Sequence, residues 1–100
     1  MSAHYLDSSK NEFIAIPKAE YYVLSNDSFM SGWGGASGKI NTCVVPCETY
    51  EEAEAVADYA RSRSDQKRIR IVVGVRDKAH VVYSMCIGWK DRAKERMAAR

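Results

Sequence analysis

One hundred residues suffice for one domain with a modest core and leave little room for a deep pocket together with a catalytic apparatus. The apolar content is ordinary for a globular chain, and its apolar runs fall far short of the roughly 18 residues that a membrane-spanning helix needs. Net charge is +2 but unevenly placed: residues 1–60 hold three lysines against nine acids, a net −6, and residues 61–100 hold twelve Lys and Arg against four acids, a net +8.

The chain opens on Met1-Ser2-Ala3-His4-Tyr5-Leu6-Asp7, polar and mixed, without the basic-then-apolar order of a signal peptide. Residues 1–10 read as a loose arm of a single domain spanning 1–100, and the expected location is the cytoplasm. Glu12-Phe13-Ile14-Ala15-Ile16 is a short apolar run stopped by Pro17, as at a sheet edge. Glu20-Tyr21-Tyr22-Val23-Leu24-Ser25 carries the aromatic and β-branched residues of a strand, and Pro17-Lys18-Ala19 between the two runs is short enough for a hairpin turn.

A stretch of about fifteen residues follows, Ser25 to Lys39, which holds four of the six glycines. It is long for a compact domain, where loops without a role are usually shorter. Phe29, Met30 and Trp33 within it either pack the loop onto the domain or form an apolar tip that waits for a partner. Asn41-Thr42-Cys43-Val44-Val45-Pro46-Cys47 reads as a strand with Cys43, Val45 and Cys47 on one face and Thr42 and Val44 on the other.

The clearest helix spans 49–63. Thr49 caps it, Glu52 completes a capping box, and Glu48, Glu51 and Glu52 sit where the positive end of the helix dipole favours anions. Ala53, Val56, Ala57 and Ala60 form one apolar stripe, and their small size lets the axis approach a sheet closely. After a polar connection, Arg68-Ile69-Arg70-Ile71-Val72-Val73-Gly74-Val75 is a strand with Ile69, Ile71, Val73 and Val75 facing one way and Arg68, Arg70 and Val72 the other. Beyond a turn at Arg76-Asp77-Lys78, residues 79–87 either pair back as a strand or continue as a helix. From Trp89 the chain is a short basic helix whose apolar line is Trp89, Ala93 and Met97. The expected fold is therefore α+β: a small, mainly antiparallel sheet covered on one face by the 49–63 helix, plus the basic C-terminal helix. The strands flanking the 49–63 helix are expected to be parallel if that helix is a crossover.

Few residues combine into a site. Gly34-Gly35-Ala36-Ser37-Gly38-Lys39 resembles a phosphate cradle but has Trp33 where a P-loop needs Gly, Ile40 where it needs Ser or Thr, and a strand where it needs a helix. Cys43 and Cys47 would lie about 13 Å apart on an extended strand, too far to share one ion, so the cysteines read as core thiols and neither metal nor cofactor is expected. A thiol–imidazole pair, Cys47 or Cys86 with His80, is the one nucleophilic arrangement that composition allows, and it fills little of what an active site requires. The chain accordingly reads as non-enzymatic. Arg61, Arg63, Lys67, Arg68 and Arg70, with Lys90, Arg92, Lys94 and Arg96 of the last helix, either form a basic face that meets nucleic-acid phosphates or are neutralised by the acidic half.

Tyr22-Val23-Leu24-Ser25-Asn26-Asp27-Ser28-Phe29-Met30-Ser31-Gly32-Trp33-Gly34, then Gly38-Lys39-Ile40-Asn41, then Thr49-Tyr50-Glu51-Glu52-Ala53-Glu54 together resemble a group of small uncharacterised proteins encoded by bacteriophages and prophages. The resemblance covers roughly residues 20–72, and its most distinctive part is the NDSFMSGWG loop. It brings no catalytic residues. It implies an accessory protein of phage type in a bacterial cytoplasm, and by analogy one that binds and modulates or inhibits a host protein or nucleoprotein complex, defence complexes of CRISPR type included. In that reading Phe29, Met30 and Trp33 are apolar anchors, and Lys39, Arg68, Arg70 and the terminal helix add electrostatic attraction. The alternative is a nucleic-acid-binding accessory protein that uses the basic C-terminal half.

Overall fold

A computed structural model describes residues 4–7, 12–27, 40–64, 66–75, 81–86 and 88–98. The chain is α+β. Strands β1 (His4–Asp7), β2 (Glu12–Ala15), β3 (Tyr21–Asp27), β4 (Ile40–Cys47), β5 (Gln66–Val72) and β6 (Val81–Met85) form one mixed sheet in the order β2-β1-β6-β4-β3-β5. Helices α1 (Tyr50–Ser62) and α2 (Gly88–Ala98) complete the fold. The pairs β1–β2, β3–β4 and β3–β5 are antiparallel, while β6 runs parallel to both β1 and β4. Because β4 and β5 both oppose β3, they are parallel to each other, and α1 connects them across the strand between.

Side-chain alternation divides the sheet into two faces. Val23, Val45 and Cys47 bury themselves against Ala53, Val56 and Ala57 of α1 and Ala93 of α2, with Ile69 and Ile71 of β5 at the margin. The helical stripe behaves as its spacing requires: Ala53, Val56, Ala57 and Ala60 are all fully buried. Tyr22, Leu24, Val44 and Tyr83 form a second core on the opposite face, joined there by Ile16 and Ala19. The Tyr22 hydroxyl holds that crossing segment in place, donating to the Pro17 carbonyl at 2.7 Å and accepting from the Ala19 amide at 2.9 Å.

Four expectations are corrected. His4–Asp7, part of the expected loose arm, is a strand between β2 and β6. The 12–16 and 20–25 runs form no hairpin: β2 pairs with β1, and three strands separate it from β3. Residues 16–19 are a crossing segment instead of a turn, because the apolar underside of β3 and β4 needs cover and Ile16 and Ala19 supply it. Finally, β6 does not pair back on β5 but lies inside the sheet between β1 and β4. Its Val-Val-Tyr-Ser-Met composition suits a strand flanked on both sides, whereas the cations of β5 suit an edge.

Val73 and Val75 also leave the face assigned to them. The strand ends at Val72, Gly74 turns the chain at φ +84, Val73 is 81% exposed, and Val75 joins Val72 on the helix-free side. Among the described residues no helix is long and apolar enough to cross a membrane.

Candidate functional site

The charge asymmetry of the sequence resolves into two unlike regions. On the helical side, α2 lays its cations on the acids of α1. Lys90 Nζ lies 3.2 Å from Glu52 Oε1, Lys94 Nζ 3.8 Å from Glu52 Oε2, and an Arg96 nitrogen 3.7 Å from Asp58. Arg92 pairs within its own helix, 3.8 Å from Glu95. Glu52 is the hub. Its amide donates to the Thr49 hydroxyl at 3.1 Å, and its carboxylate accepts the Glu48 amide at 3.1 Å as well as the two ammonium groups. Partial burial pushes the Glu52 carboxyl up, but the Glu48 amide and then Lys90 outweigh that effect and hold it below its usual value.

Arg63, at the end of α1, is engaged with rings. Its guanidinium carbon lies 5.4 Å from the Trp89 ring centre and 5.9 Å from that of Tyr59, and it donates to the Tyr59 hydroxyl at 3.3 Å. Tyr59 and Trp89 meet edge to face at 6.1 Å. The cations expected to make one basic face are therefore divided. Lys90, Lys94, Arg96 and Arg63 join α1 to α2, and a different set remains open to a partner.

That set is Lys67, Arg68 and Arg70 on the edge strand β5. All three are exposed, and among the described residues none forms an ion pair with a carboxylate. The local backbone arranges them. The β3–β5 register shifts between Leu24 and Asn26, and within that irregularity Arg68 adopts φ +53, a left-handed conformation that costs a side-chain-bearing residue about 1–2 kcal/mol. Arg70 bridges the distortion, donating to the Arg68 carbonyl at 2.7 Å and to the Asn26 amide oxygen at 3.4 Å. Asn26 in turn donates to Thr42 at 3.4 Å, and Ser25 donates to Gln66 at 2.6 Å, so the β3 residues behind the cations are fixed by hydrogen bonds. The sequence pattern gave no sign of the bulge, because nothing at Arg68 marks a left-handed position.

Of the expected anchors, Phe29, Met30, Trp33 and Lys39 lie outside the described residues, as does His80. Arg61 is exposed in the last turn of α1. Cys43 and Cys47 are buried, as core thiols should be. Burial, with the Glu52 carboxylate second, pushes the Cys47 thiol up to about 11, so it stays protonated at neutral pH and is a weak nucleophile. Among the described residues, no three of His, Cys, Asp and Glu gather where they could hold a metal ion. No protein-family model, no curated protein and no solved structure matches the chain.

Proposed function

We propose that the chain is a non-enzymatic binding protein of phage type, which docks on a host protein or nucleoprotein complex and modulates or inhibits it. The observation that carries this reading is the set Lys67, Arg68 and Arg70, exposed on an edge strand while most cations of α2 are held by α1. Exposed charge of one sign on a firmly built sheet edge steers association with an oppositely charged surface. Residues 28–39, which connect β3 to β4 in the chain, would add Phe29, Met30 and Trp33 to the contact. A defence complex, with its acidic and nucleic-acid-bearing surfaces, is the partner class that the phage resemblance favours.

The test is affinity capture from a bacterial lysate with and without nuclease. It compares the natural chain with Lys67→Glu/Arg68→Glu/Arg70→Glu and with Phe29→Ala/Trp33→Ala. The expected result is stoichiometric capture of a protein partner that survives nuclease and is lost in the charge-reversed variant. Capture unaffected by either variant would overturn the reading. The same three cations also favour a second reading, direct contact with nucleic-acid phosphates. It predicts binding to nucleic acid alone, weakening steeply as salt rises.

A further inference from the structure

A groove of about 540 Å³ opens where the outer face of α1 meets α2 and the margin of β5. Ala55, Ile71 and Ala93 contribute to its apolar lining, and Tyr50 and Met97 stand beside them, 52% and 49% exposed. Tyr50, Val73 and Met97 are large apolar side chains left exposed, and two of them line this groove. The charge beside them is uneven. Asp58 is taken by Arg96, which also donates to the Asp58 carbonyl at 3.4 Å. Glu51 and Glu54, in the first turns of α1, have no cation among the described residues. Arg61 lies about two turns further along the helix. The Tyr50 end of the groove is thus apolar and negative.

We propose that this groove takes a basic amphipathic segment of a partner protein, with an aliphatic side chain between Tyr50 and Met97 and Lys or Arg residues on Glu51 and Glu54. Charge complementarity selects this occupant: an acidic segment would meet two uncompensated carboxylates, and a purely apolar one would leave them desolvated. A second copy of the chain is disfavoured in the same way, because symmetric apposition of this groove would set Glu51 and Glu54 near their own copies. The surface is distinct from the β5 cations, so the protein would carry two contacts of opposite charge.

The experiment is a fluorescence-anisotropy titration with three labelled peptides: an amphipathic peptide of Leu and Lys, its Leu and Glu counterpart, and a Lys and Ser peptide of equal charge. The expected result is binding of the Leu/Lys peptide alone. Glu51→Lys/Glu54→Lys weakens it roughly tenfold, the size two partly exposed ion pairs give. Met97→Ser also weakens it, and Arg68→Glu/Arg70→Glu leaves it unchanged. Glu51→Gln/Glu54→Gln serves should the double reversal fail to fold. Equal binding of the Lys/Ser peptide, equal binding of the Leu/Glu peptide, or binding insensitive to every groove variant would overturn the proposal. Loss of partner capture by the β5 variant with intact peptide binding separates this surface from the one proposed above.

Discussion

Arg68 occupies a backbone conformation that suits glycine, and the protein keeps an arginine there. At φ +53 the side chain costs about 1–2 kcal/mol, while glycine would return about 0.5–1 kcal/mol of that through its freer unfolded chain. Arg68→Gly is therefore expected to stabilise the fold by roughly 0.5–1 kcal/mol in urea unfolding, and Arg68→Val to destabilise it. Loss of the Arg68 charge should weaken partner capture even as stability rises, which is the pattern of a residue retained for binding. Buried positions behave in the opposite way. Val45 has no exposed surface, and Val45→Ala is expected to cost about 2 kcal/mol in the same assay, because its contacts come from both the sheet and α1.

At the scale of elements, α2 has little apolar surface of its own. Ala93 is its one fully buried residue, and much of its hold on α1 runs through Glu52, Asp58 and the ring cluster at Arg63. The folded Glu52 carboxyl lies below its ordinary value, so its contribution is fully present above that value and is lost as pH falls through the lowered one. The stability difference between the natural chain and Glu52→Gln should accordingly be largest near neutral pH and vanish in acid; a difference constant with pH would contradict this. Helix α1 was legible because its determinants are local: a cap at Thr49, an acidic first turn and a stripe of small residues. Even so, Glu52 takes the Glu48 amide instead of the cap residue's own. The partners of the short strands were not legible, because pairing is settled by which strand tolerates burial on both sides. Tyr83 in β6 is nearly inaccessible, and the sheet holds β1 beside it at one register position, Tyr5 opposite Tyr83. The β1–β2 pair should therefore exchange its amide protons well before β3 and β4, which are paired along most of their length.

For the whole molecule, the sequence halves of opposite charge do not become surface halves. Helix α2 carries basic residues back onto the acids of α1, and the charge left over collects at two separate sets of residues: cations on β5, carboxylates at the start of α1. Composition revealed the imbalance but not its cancellation, since cancellation depends on α2 folding back across α1. The sheet has two edges, β2 and β5, and an open edge invites another strand. On β5 three features oppose that: the irregular pairing at Arg68, the Arg70 guanidinium on the Arg68 carbonyl, and a row of like charges that would face itself in a symmetric antiparallel pair. The cations proposed to meet a partner thus also keep the chain from pairing with itself. Arg68→Asn/Arg70→Thr removes the charges and the carbonyl cap together, with asparagine tolerating the left-handed backbone at 68 and threonine suiting the strand at 70. This variant is expected to self-associate in sedimentation velocity at concentrations where the natural chain does not, and Arg68→Lys/Arg70→Lys, which keeps the charge, is expected to stay dispersed. If the uncharged variant remains as dispersed as the lysine one, the arginines do not guard the edge, and their exposure is left to partner binding alone.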